Sequence, residues 1–142
     1  MYIKEISYED FNGEKVTEKF YFNFTKAELA TMNLEQEGGL SNYIDRITNT
    51  RDTPSLIKLF QELILKSYGV KSDDGKKFIK VKDGHKLAED FMQTDAYSEY
   101  FMMLVQNDKE AEKFINGVIP KQILEEVEKA KKNGTSITAI DA

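Results

Sequence analysis

Residues 2–24 read YIKEISYEDFNGEKVTEKFYFNF. Polar and apolar residues alternate on both sides of Asn12-Gly13, the dipeptide most characteristic of a β-hairpin turn. Two registers compete. A two-residue loop pairs Phe11 with Glu14, which sets Tyr8 opposite Thr17 and Ile6 opposite Lys19. A three-residue loop pairs Asp10 with Glu14, Tyr8 with Val16 and Tyr2 with Phe22. The second register collects Tyr2, Ile6, Tyr8, Val16, Phe20 and Phe22 on one face and is preferred. Asp10 then opens a type I turn, and Gly13 takes the left-handed position. An isolated hairpin is marginal in water, so this face must pack on helices.

The remainder reads as helical. Thr25-Lys26-Ala27-Glu28 has the spacing of a capping box, and Leu29 and Met32 begin an apolar stripe that Gly38-Gly39 stops. Leu40, Tyr43, Ile44 and Ile47 mark a second helix. Thr53-Pro54 reads as a cap followed by proline in the first turn of a third helix, ending at Tyr68-Gly69. Its apolar residues, from Leu56 to Leu65, leave only a narrow polar strip along Lys58, Glu62 and Lys66, which marks a central helix. Residues 69–84 are charged and rich in turn formers, with Phe78, Ile79 and Val81 forming either a short strand or a loop pinned to the core. Three more helices are expected: over 86–93, from a cap at Thr94 or Asp95 to about Asn107, and from a cap at Asp108 through Ile115. A last amphipathic helix carries Ile123, Leu124 and Val127. The expected architecture is α+β, an N-terminal hairpin packed on a predominantly helical bundle. The expected division is a globular domain over 1–119, a C-terminal helix over 120–134 and a flexible tail over 135–142.

Composition narrows the function classes. With 20 Lys and Arg against 25 Asp and Glu, the net charge is −5 and both signs are interspersed. That pattern lacks the clustered cations a nucleic-acid partner needs. The chain has no cysteine, so no disulfide or thiolate chemistry is available. No apolar run approaches the roughly 20 residues needed to cross a bilayer, and no membrane contact is expected.

The sequence carries none of the familiar catalytic or metal-binding spacings. His85 is the single histidine, with no second one at helical spacing, and reads as a surface residue. Asp73-Asp74-Gly75 lacks the alternating oxygen ligands of a calcium loop and reads as a solvated turn. The lysines near Gly69 and Gly75 do not have phosphate-loop spacing, and no serine sits in a nucleophile elbow. A non-enzymatic protein without a cofactor is the expectation.

Two surfaces stand out for partner binding. Between Asp95 and Asn107 the apolar face is Tyr97, Tyr100, Phe101 and Leu104, flanked by Ala96 and Met103, while Met102 falls on the polar face. An exposed methionine beside aromatics suits an adaptable apolar contact. The stripe of Ile123, Leu124 and Val127 is narrow, as in a helix that docks on a groove of its own domain, a sister subunit or a client.

Several ordered segments resemble a known family: Phe20–Leu34 (FYFNFTKAELATMNL), the Gly38-Gly39-Leu40 break, Leu63–Lys80 (LILKSYGVKSDDGKKFIK), Phe91–Leu104 (FMQTDAYSEYFMML) and Phe114–Lys121 (FINGVIPK). Together they are similar to the tail assembly chaperones of long-tailed bacteriophages infecting Gram-positive bacteria. The resemblance covers roughly residues 1–121. It implies a protein of the host cytoplasm, absent from the mature virion, that binds and solubilises the tape measure protein while the tail tube assembles. It further implies the tail tube protein as a partner, through a longer frameshifted form, and self-association along the client. The competing readings are a structural tail or head–tail component and a phage protein that binds a host protein.

Overall fold

The computed structural model describes residues 1–129. Strands β1 (Tyr2–Glu9) and β2 (Lys15–Phe22) pair in the three-residue-loop register, with Tyr2 opposite Phe22 and Tyr8 opposite Val16. The turn forms as its residues dictate. The Asp10 carboxylate accepts from the backbone N–H groups of Asn12 and Glu14, both at 2.9 Å, and Gly13 sits at φ 81°. The inward face buries Ile6, Phe20 and Phe22, with Tyr2, Tyr8 and Val16 half-buried. Lys4 shares that face and is matched by Glu110 at 3.0 Å. The Tyr8 hydroxyl donates to Glu18; that hydrogen bond, with burial and the charges of Glu18 and Asp10, pushes the phenol up to about 12.

Helices α1 (Lys26–Glu35), α2 (Leu40–Thr50) and α3 (Thr53–Ser67) follow. The capping box at Thr25 is complete: the Glu28 N–H donates to the Thr25 hydroxyl, and the Thr25 N–H donates to the Glu28 carboxylate. The α1–α2 turn rests on one buried polar group. Asn33 accepts from the Leu40 N–H at 2.8 Å, and its side-chain oxygen would lie 2.9 Å from any Cβ at Gly39. At α3 the cap is Asp52, one residue earlier than Thr53, because the Asp52 carboxylate accepts from the Ser55 N–H. Helix α3 packs on α2 and buries Leu59, Phe60, Leu63 and Ile64.

The largest departure from expectation begins where α3 ends. Tyr68 opens a strand, β3 (Tyr68–Lys71), and the sheet has four strands in the order β1-β2-β3-β4, with β4 at Phe78–Ile79. The Asn23 N–H donates to the Ser67 carbonyl at 2.8 Å and brings the chain back beside β2. Pairing of β2 with β3 covers only Tyr21–Gly69 and Phe22–Tyr68. Continued, this register would set Lys19 against Lys71, an unfavourable like-charge pair. Beyond Gly69, β3 pairs with β4. A Cβ at Gly69 would lie 2.5 Å from the Phe78 ring and 2.6 Å from the Ile79 carbonyl, so the strand demands glycine there. A second hairpin, β5 (Val81–Lys82) and β6 (His85–Lys86), turns through Asp83-Gly84, both at positive φ. Positive φ at both central residues is the type I′ turn that Asp-Gly favours.

Helices α4 (Leu87–Met92), α5 (Asp95–Gln106) and α6 (Asp108–Val118) complete the ordering, and residues 121–129 are helical. Thr94 caps α5, whereas Asn107, not Asp108, caps α6 by accepting from the N–H groups of Lys109 and Glu110. Helices α5 and α6 lie on β1, and α4 lies on β3. The core between sheet and helices is aromatic. The Phe22 ring lies 5.9 Å from Tyr68, 6.0 Å from Phe91, 5.5 Å from Tyr100 and 5.6 Å from Phe114. Leu124 and Val127 join the same core cluster. The expected tail over 135–142 lies outside the described residues.

Two stability measurements check this packing. Gly69→Ala should cost about 2 kcal/mol in urea unfolding, since the Ile79 carbonyl that its methyl would meet is backbone and cannot rotate away. Tyr100→Phe should leave stability unchanged or raise it by up to about 1 kcal/mol, because its buried hydroxyl has no hydrogen-bond partner among the described residues. A loss above that size for Tyr100→Phe would show that the hydroxyl is satisfied.

Candidate partner-binding site

A cleft of about 700 Å³ is bounded by α1, the end of α3, β3, the β5–β6 hairpin and α4. Its position follows from local rules already in place. The capping box sets the start of α1, which lines one wall with Ala27, Thr31 and Met32. The helix-to-strand switch at Ser67–Tyr68 places Leu65 and Tyr68 along the base. The Asp83-Gly84 turn carries Val81 to the opposite wall, and α4 supplies Ala88 and Met92. Val81 is 57% exposed and Met92 47%, although both are apolar. The lining is predominantly apolar, and two of the chain's five methionines belong to it. Flexible thioether side chains conform to differently shaped apolar partners.

Charge frames the cleft. Glu28, already engaged in the capping box, also accepts from the Lys80 ammonium at 2.7 Å. Lys80 lies 4.8 Å from the centre of the Phe24 ring, a cation–π contact that covers one end of the cleft. Burial pushes the Lys80 ammonium down, against the opposing pull of Glu28. Burial alone would raise Glu28; the hydrogen bond from Lys80 and the Thr25 N–H outweigh it and hold the carboxyl below its ordinary value. Lys66, Lys86, Glu35 and Glu89 complete the rim. An apolar floor inside a rim of both signs suits one face of an amphipathic helix, whose flanks carry charges.

The residues singled out in the sequence are placed differently. Met102 is exposed on α5, at 46%, but lines no part of this cleft, and Met103 is partly buried against the core. Leu124 and Val127 are 7% and 6% exposed in the chain's own core, with Ile123 packed beside them. The terminal stripe is therefore occupied by the chain's own fold, because it faces the core rather than solvent. Met32, Val81 and Met92 were not expected as contact residues: each is an ordinary apolar residue in its own element, and the Asp83-Gly84 turn signal marks only the wall that carries Val81. His85 is half-exposed, with Nε2 2.9 Å from Asp90 and Nδ1 3.6 Å from Glu89. The Asp90 hydrogen bond raises its pKa above the ordinary histidine value. Asp74 is tied into its turn by the Lys76 N–H and the Ser72 hydroxyl.

Lys80→Met tests the frame of the cleft. It leaves Glu28 without its cation and should cost about 0.5 kcal/mol near neutral pH. Because Glu28 is held below 4.5 in the folded state, its contribution is present above that value and is lost as pH falls through the folded pKa. The difference in urea midpoint between wild type and variant should shrink in acid; a constant difference would contradict the ion pair.

Comparison with known proteins agrees with the resemblance in the ordered segments. No curated protein and no solved structure matches the chain. A family model described as phage tail assembly chaperone matches residues 1–141, and the chain belongs to that family.

Proposed function

We propose that the protein binds amphipathic helical segments of the tape measure protein and keeps them soluble until tail tube subunits polymerise around them. The supporting observation is the cleft: an apolar lining in which Val81 and Met92 are left exposed and Met32 is half-buried, inside a rim of Glu28, Lys80 and Lys86. A helix with an apolar face loses its aggregation-prone surface when it seats there, while its charged flanks meet the rim. Met102 is a second candidate contact on α5. The role is binding rather than catalysis, carried out in the host cytoplasm and ended before the virion is complete. Binding to the tail tube protein and self-association along the client belong to the same proposal.

Co-expression with a tape measure fragment tests it. The fragment should remain soluble and co-elute with this chain; equal solubility without the chain, and no complex, would overturn the reading. Met92→Glu should weaken the complex by about tenfold, equivalent to roughly 1.4 kcal/mol, with an unchanged melting temperature. Met102→Glu separates the two surfaces: a larger loss there than at Met92 would move the contact from the cleft to α5. Mass spectrometry of purified particles should find no copies of the chain; retention would instead indicate a structural tail component.

A further inference from the structure

We propose that Phe11, at the tip of the β1–β2 hairpin, seats in the cleft of a second copy of the chain while that cleft holds no client. The contact itself needs only the cleft; the last condition rests on reading the cleft as the client site. Phe11 is 86% exposed, the most of any large apolar side chain among the described residues. Its own turn does not call for an aromatic. It is the second residue of the Asp10–Gly13 turn, a position that accepts most residue types. The turn around it is well fixed, because the Asp10 carboxylate holds the Asn12 and Glu14 N–H groups and the Asp10 carbonyl accepts from the Gly13 N–H at 3.0 Å. A preorganised anchor loses little freedom on binding, and buried aromatic anchors dominate the energy of protein contacts.

The hairpin holds Phe11 away from its own cleft. Strand β2 has 8 residues and is about 25 Å long. The tip lies at its Lys15 end, whereas β3 pairs at its Phe22 end and Phe24, two residues further, lines the cleft. A ring that cannot fold back finds its pocket on another molecule, and a second copy offers one of fitting chemistry. Met32 and Met92 supply thioethers, which favour aromatic partners, and Val81 and Met92 are left exposed. Charge orients the approach. Glu9 and Glu14 flank the tip, and neither is ion-paired among the described residues. The strands beside the cleft, with their turns, carry Lys71, Lys76, Lys77, Lys82 and Lys86 against Asp73, Asp74 and Asp83. None of those five lysines is ion-paired among the described residues; Lys80 is not counted with them, since Glu28 already neutralises it. Glu35 and Glu89 stand on the α1 and α4 sides of the rim, so the acids of the tip face the β5–β6 side, where Lys86 lines the cleft. The groove of about 540 Å³ between α2, α3, α5 and α6 is a poorer acceptor, with Asp45, Asp108 and Glu112 against Arg51 and Lys121 and no methionine. Tip and cleft are different surfaces, so the contact is head-to-tail and repeats from copy to copy. One tip in one cleft makes a small interface, and the association is weak and concentration-dependent.

Sedimentation velocity of the full chain, without client, tests the contact by complementation. The wild type should associate as its concentration rises. Phe11→Ser and Met92→Glu should each raise the dissociation constant at least about tenfold, with the melting temperature unchanged because both side chains are exposed. Mixed together, the two variants should form a 1:1 complex and nothing larger, because one keeps the cleft and the other keeps the tip. A monomeric wild type, association of either variant as strong as the wild type's, or no complex in the mixture would overturn the proposal. Val81→Glu takes the place of Met92→Glu if that variant does not fold, since Val81 lines the same cleft and is also exposed. A tape measure fragment keeps the two readings apart. It should dissolve the wild-type association and bind Phe11→Ser at least as tightly as the wild type. Variants that pair as described while the fragment leaves the wild-type association unchanged would uphold the tip contact and sink the client reading of the cleft.

Discussion

The packing around Phe22 is the constraint on which the rest of the fold depends. Its ring, fully buried, is shared by β3 through Tyr68, α4 through Phe91, α5 through Tyr100 and α6 through Phe114. Removing such a ring from a packed core leaves a cavity costing about 3–5 kcal/mol, a large fraction of the stability of a domain this size. Four elements distant in sequence are held to one strand by that side chain. The Tyr68–Phe91 stack, at 4.2 Å between ring centres, ties two of them to each other. Edge-to-face and offset geometries add directional preference to a burial force that has none of its own.

The cleft is a consequence of how this core ends. Tyr68 faces Phe22 and Phe91 from the third strand and also contributes to the cleft. Ala88 and Met92 lie on the same short helix as Phe91, so that helix serves core and cleft together. Glu28 links local and tertiary structure in a similar way. One of its oxygens completes the α1 capping box and the other holds Lys80 across the cleft. The half-buried pair offsets the cost of placing two charges beside an apolar surface.

Much of the candidate site was invisible from the sequence because it is composed of unremarkable residues brought together late. A methionine in α1 and another in α4 have separate local explanations, each as part of an amphipathic stripe. Their shared place in one cleft emerges only when β3 returns beside β2 and the β5–β6 hairpin forms the facing wall. The Ile123–Val127 stripe shows a complementary limit. Its periodicity identifies a docking face but not the dock, and Leu124 and Val127 find it within the chain's own core. Exposure of Met102 was legible, since helical periodicity places it opposite Tyr100 and Leu104.

The sequence by itself determined the features governed by near neighbours. The hairpin register follows from its side-chain alternation and the Asp10–Gly13 turn, the start of α1 from its capping box, and the centrality of α3 from its wide apolar surface. The ordered segments of the chain also carried the family. Tertiary structure alone decided that Tyr68–Lys71 is a strand, that it leaves β2 after Gly69, and that five separate elements enclose an apolar cleft. The physical reason is range. Turns, caps and periodicity are settled within a few residues, whereas strand β3 needs a partner from the far side of three helices, and a cleft exists only where surfaces from distant segments fail to close.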